Sequence, residues 1–153
     1  DRRNDILHRE LVWPASLRTA SCNRRHDMIF EGDYDRLTSQ RCRNTRLRNV
    51  RVRDLRITNA AVSIEDSWIG GANGGLIVDD ARVSITSSAI EGRVAITAIA
   101  SHLDIAGSRI VGAESALVAP RQSEVLFSVS RVQSPHFRGS LHELRIVAPG
   151  NPL

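Results

Sequence analysis

A phrase of eight residues recurs about every twenty positions through the middle of this chain, and a period of that length restricts the architecture more than any single motif could. The copies are Val62-Ser63-Ile64-Glu65-Asp66-Ser67-Trp68-Ile69, Val83-Ser84-Ile85-Thr86-Ser87-Ser88-Ala89-Ile90, Leu103-Asp104-Ile105-Ala106-Gly107-Ser108-Arg109-Ile110 and Val125-Leu126-Phe127-Ser128-Val129-Ser130-Arg131-Val132. Apolar residues stand at positions 1, 3 and 8, a serine stands at position 6, and the copies start 21, 20 and 22 residues apart. In the first three a glycine follows the last apolar residue: Gly70 and Gly71, Gly92, and Gly112.

Apolar residues at positions 1 and 3 around a polar or small position 2 have the period of a strand with one face buried. A second short strand follows in each unit: Leu76-Ile77-Val78, Val94-Ala95-Ile96 and Ala116-Leu117-Val118. Runs this short cannot bury a face alone, so successive copies must stack, as in solenoids. Strands of β-branched residues with small residues at the corners, in coils of 20 to 22 residues, resemble the right-handed parallel β-helix of the pectate lyase-like proteins. The expected fold is therefore all-β: a short right-handed parallel β-helix over residues 41–147, an N-terminal cap or flank over 1–40, and a tail at 148–153. A left-handed β-helix would repeat near 18 residues with a strict hexapeptide. A leucine-rich repeat would need its leucine and asparagine consensus. Neither pattern is present.

Stacking places equivalent residues about 4.8 Å apart, so Ser67, Ser88, Ser108 and Ser130 should form one column. With odd positions turned inward before a bend, these serines are expected to hydrogen-bond each other and the backbone, because buried hydroxyls require partners. The outward column Ser63, Ser84, Asp104, Leu126 is no repeated ligand set. Trp13, Phe30 and Tyr34 suit a cap, and Leu141 to Val147 suit a last strand.

The 153 residues are 41% hydrophobic with only six aromatics, so an aliphatic core in a single domain is expected. No apolar run is long enough for a transmembrane helix, and no charged segment followed by an apolar one reads as a signal peptide. A start at Asp1 without methionine suggests a trimmed piece of a longer precursor. Cys22 and Cys42 are one coil apart, which makes a disulfide between adjacent rungs geometrically plausible. Two unpaired, partly buried thiols are the alternative. A bridge would favour a periplasmic or extracellular setting. No CxxC spacing supports zinc, and no metal or cofactor is expected.

All 21 basic residues are arginine, and they are unevenly distributed. Residues 1–60 carry 14 arginines against 8 acids, whereas the remaining 93 residues carry 7 against 9. Arg41, Arg43, Arg46, Arg48, Arg51, Arg53 and Arg56 fall within 16 residues, several alternating with Leu47, Val50, Val52, Leu55 and Ile57. Such alternation buries the aliphatic groups and turns the guanidinium groups out. Arg46, Arg48, Arg51 and Arg53 are thus candidates to bind a polyanion: an acidic polysaccharide, lipopolysaccharide or a phospholipid surface. The competing explanation is a solvated face in an arginine-biased composition that also discourages edge aggregation. Nucleic acid fits less well, because no helix-turn-helix, zinc finger or aromatic platform accompanies the arginines.

The resemblance also raises polysaccharide cleavage. Asp79-Asp80 superficially resembles the paired aspartates of polygalacturonases, whose acid and base flank a glycosidic bond. The accompanying Asn-Thr-Asp, Gly-His-Gly and Arg-Ile-Lys motifs are absent, and a turn is the expected setting after Val78. His8, His26, His102, His136 and His142 are scattered, and no residue is assigned a catalytic role. The resulting expectation is a non-catalytic, envelope-associated scaffold or binding module. A module that self-associates through its solenoid ends and a small carbohydrate-active enzyme are the alternatives.

Overall fold

The computed structural model describes residues 18–71, 74–147, 149, 150 and 153. His8 and Trp13, like Asn151 and Pro152 of the tail, lie outside the described residues. Those residues form twelve strands and no helix. In chain order they are β1 (Arg18–Asn23), β2 (Ile29–Gln40), β3 (Thr45–Thr58), β4 (Ala61–Glu65), β5 (Trp68–Gly70), β6 (Gly75–Asp79), β7 (Arg82–Thr86), β8 (Ala89–Ile99), β9 (His102–Ala106), β10 (Arg109–Val118), β11 (Glu124–Gln133) and β12 (Arg138–Val147). They wind into a parallel β-solenoid of about six turns.

The turns have three faces. The first stacks the start of β3 on β4, β7, β9 and the start of β11. The second stacks the middle of β3 on β5, the start of β8 and the start of β10, and ends on the second half of β11. The third runs from β1 through the second halves of β2 and β3 to β6, then the second halves of β8 and β10. Parallel pairing begins at Arg18, so β1 and β2 belong to the solenoid although they lie within the stretch 1–40 where sequence suggested a cap. Phe30 and Tyr34 are buried there with their rings edge to face at 6.3 Å.

The strand positions follow the period-2 pattern. Val62 and Ile64, Val83 and Ile85, Leu103 and Ile105, and Val125 and Phe127 are all buried, and each set lies in register with the next. Between the first two faces the chain bends at a residue of positive φ: Asn49, Asp66, Ser87, Gly107 and Val129 on successive turns, with φ from 45° to 57°. This left-handed conformation suits Gly, Asn and Asp and strains a β-branched residue. A second left-handed column, Arg24, Arg41, Asn59, Asp80 and Ala100, bends the chain from the third face back to the first.

The serine of each phrase follows its left-handed residue and points inward. The backbone N–H of Ser67 donates to Ser88 Oγ at 3.1 Å, that of Ser88 to Ser108 Oγ at 3.1 Å, and that of Ser108 to Ser130 Oγ at 3.2 Å. Each hydroxyl in turn donates to the carbonyl two residues before it, from Glu65 to Ser128, at 2.8–3.0 Å. The expected column therefore exists, but its links join hydroxyl to backbone rather than hydroxyl to hydroxyl. Ser101 and Ser123 repeat the device at the other bend: the Ala81 N–H donates to Ser101 Oγ and the Ser101 N–H to Ser123 Oγ.

The ends are finished differently. Cys22, on the third face in β1, and Cys42, at the bend that follows β2, are both buried and are joined by a disulfide with their Cα atoms 6.3 Å apart. At the far end β12 turns back and pairs antiparallel with β11, from Glu124 opposite Val147 to Gln133 opposite Arg138. The single alternation that suggested a last strand is the same for either direction, so only the pairing reveals this reversal.

Candidate functional site

The four arginines singled out in β3 do not share one surface. Arg46 and Arg48 belong to the first face, on the rung that pairs with β4. Arg51 belongs to the second face, opposite Trp68, and Arg53 lies where the strand passes toward the third. Three of the four also face acids one turn earlier. Arg48 lies 3.4 Å from Glu31 and Arg53 3.8 Å from Asp35, while Arg51 holds both oxygens of Asp33 at 2.7 and 2.8 Å. Donation to Asp33 raises the Arg51 pKa further, against the effect of partial burial, and its Cζ lies 6.0 Å from the Trp68 ring centre. The ladder continues with Arg36 and Asp54 at 3.5 Å.

Neutralising these pairs leaves a different set of charges open to solvent. Arg24, Arg25, Arg41, Arg43 and Arg82 are exposed, and none makes an ion pair within the described residues. They cluster at the bend between the third and first faces. The Arg24 N–H donates to the carbonyl of Gln40, and the Arg41 N–H to that of Thr58, which stacks the two left-handed arginines on adjacent rungs. Arg43 pairs with His26 in a parallel bridge, and Arg82 lies on the first face beside His102. Arg46, exposed on the same rung as Arg43, extends the tract.

A groove of about 690 Å³ runs along this bend. Its floor is small: Ala60, Ala81, Ser101 and Ser123, with the two serines spent on the backbone links described above. Its walls carry Arg43, Asp80, Arg82, His102 and Glu124. Sequence reasoning passed over this site. Its floor residues recur at the coil period, but alanine and serine there look like ordinary corner residues until the stack is assembled.

Glu124 is the most engaged group of the groove. Arg145 of β12 donates to it at 2.9 Å and His102 Nε2 lies 3.8 Å away. The hydrogen bond from Arg145 holds the Glu124 carboxyl below the ordinary carboxylate range, partial desolvation opposes this, and the charges of Arg145, His102 and Arg82 add to the lowering. Asp80 lies at a left-handed turn with φ of 49° and makes no ion pair among the described residues. Asp79 ends β6 on the third face. No three His, Cys, Asp or Glu side chains gather into a metal-binding group among the described residues. His26, His136 and His142 are exposed and do not line the groove. No protein-family model, curated protein or solved structure matches the chain.

Proposed function

We propose that this protein is a non-catalytic binding module that holds a linear anionic polymer, an acidic polysaccharide, along the bend between its third and first faces. One observation carries the proposal: Arg24, Arg25, Arg41, Arg43, Arg46 and Arg82 lie along one bend of the solenoid without an ion pair among the described residues, while Arg48, Arg51 and Arg53 are matched to acids. Their rungs rise in steps of about 4.8 Å, comparable to the length of one sugar residue in an extended chain. Guanidinium groups suit this task, because their planar fork meets carboxylate or sulfate oxygens two at a time. The groove floor of alanine and serine lets a polymer lie close to the backbone.

The likeness in architecture to pectate lyase-like proteins supports acidic glycan as the ligand class. Cleavage draws less support, since Asp79 and Asp80 straddle a turn and Glu124 is tied to Arg145. The disulfide between Cys22 and Cys42 supports an oxidising compartment such as the periplasm or the cell exterior.

The test is binding of polygalacturonate, a sulfated glycan, lipopolysaccharide and phosphatidylglycerol vesicles at low and high salt. The native chain should bind an acidic glycan in a salt-sensitive manner. Changing Arg41, Arg43 and Arg82 together to serine should abolish binding, changing Arg51 and Arg53 should leave it nearly intact, and Asp80→Asn should strengthen it. Binding that survives the first variant and disappears in the second would overturn the proposed location. Binding of none of the probes would overturn the function, and retention on vesicles alone would replace the glycan by a lipid surface.

A further inference from the structure

β12 pairs with β11 alone among the described residues, so its other edge is open. The strand contains no proline, and it follows β11 around the bend between the first two faces. Phe137, Leu141, Leu144 and Ile146 pack against the core but stay only partly buried, because no further rung covers them.

Neighbouring bonds establish which way the backbone groups of β12 point. On the first face the Glu124 N–H donates to the Ser101 carbonyl, so alternation turns Val125 and Phe127 toward β12. Their partners Ile146 and Leu144 are thereby engaged, which leaves Glu143, Arg145 and Val147 directed at the open edge. On the second face the Arg131 N–H donates to the Ser108 carbonyl. Ser130 and Val132 therefore turn to β12 and engage Leu141 and Gly139, leaving Arg138 and Ser140 at the edge.

This edge is complementary to itself. When two copies run antiparallel with bend opposite bend, Arg138 of one faces Val147 of the other, Ser140 faces Arg145, and His142 faces Glu143. Every edge-directed group at the flanks then meets another edge-directed group. Leu141 falls opposite Leu144 on the inner side, so each core continues into the other. A shift by one residue would instead oppose Glu143 to Glu143 or His142 to His142. A larger shift would set a bend against a straight run.

We propose that β12 is the docking edge for a second copy of this chain, giving a two-fold dimer in which two solenoids continue end to end. A two-fold axis through the bend exchanges the first face of one copy with the second face of the other, as an isologous interface requires. The edge contains no proline and no inward charge, and the charges it does carry, on Arg138, Glu143 and Arg145, include both signs and so need not oppose pairing with a second copy.

Sedimentation of the full chain over a range of concentrations tests this, with folding checked by circular dichroism. Ser140→Pro removes an N–H that β11 does not use. Glu143→Arg, at an exposed position, sets an arginine against His142 twice per dimer. Each should weaken the dimer by about tenfold, the worth of two cross-strand pairs. The double variant His142→Glu with Glu143→Arg should restore it by setting a carboxylate against the new arginine. If Ser140→Pro fails to fold, Glu143→Arg and its rescue decide alone. A native chain that stays monomeric throughout, a dimer indifferent to Glu143→Arg, or a double variant without recovery would overturn the proposal.

Discussion

Val129 is a β-branched residue held at φ of 45° and left 69% exposed. Its side chain therefore contributes little burial while its backbone sits in a region that L-residues enter at a cost of about 1–2 kcal/mol. Gly107 occupies the equivalent bend one turn earlier without that strain. Val129→Gly should raise stability by about 1 kcal/mol, the relieved strain exceeding the extra entropy of an unfolded glycine, and thermal unfolding will measure it. The serines beside these bends were legible in the sequence, because a serine fixed at position 6 of a strand phrase can only recur inward. Their bonding partner was not, since nothing in the spacing says whether a hydroxyl will meet another hydroxyl or a backbone N–H. Ser101 and Ser123 were missed because Cys42, Ala60 and Ala81 occupy the same column on other rungs and conceal its identity.

Among the elements, β12 depends on the ion pair between Arg145 and Glu124 as well as on its ladder. Glu124 has a lowered pKa in the folded chain. Its contribution is therefore present in full above the unfolded carboxylate value of about 4.3, and it is lost as pH falls through the lower folded value. Acidification through that range should loosen β12 before the central rungs. Amide exchange at Leu144 and Ile146 should accelerate in acid relative to the intrinsic rate, and Glu124→Gln should remove that pH dependence. The first rungs, β1 and β2, were not legible, because they carry neither the serine nor the terminal glycine of the later phrases. The acids facing the arginines of β3 were visible as residues, Glu31, Asp33 and Asp35. Their role emerges only when the turn length of 17 or 18 residues in this part of the chain brings them opposite Arg48, Arg51 and Arg53. The same pairing explains why a cluster of arginines in sequence is not a cluster of free charge in space.

At the scale of the molecule, stability in a solenoid is close to a sum of rung and interface terms, so a covalent link acts where it is placed. The bridge from Cys22 to Cys42 encloses a loop of about one coil, worth about 3 kcal/mol in the chain-entropy account. Reduction should lower the midpoint of thermal unfolding and should do so by destabilising the first rungs, as exchange at Leu37 and Leu47 would register. The overall architecture was the most legible property of this chain, since a coil-length repeat of strand phrases admits few stacks. The groove was the least legible, because it is built from residues some 20 positions apart whose chemistry is ordinary until they adjoin.

The location of the disulfide also gives the molecule a mechanical polarity. Force applied between the two ends cannot separate the first rungs beyond the cross-link, whereas β12 and the rungs behind it are held by noncovalent contacts. Under tension the chain should yield from its C-terminal side, one coil at a time, each coil releasing roughly 70 Å of extended backbone, so that it behaves as an extensible tether anchored at one end by a covalent stop.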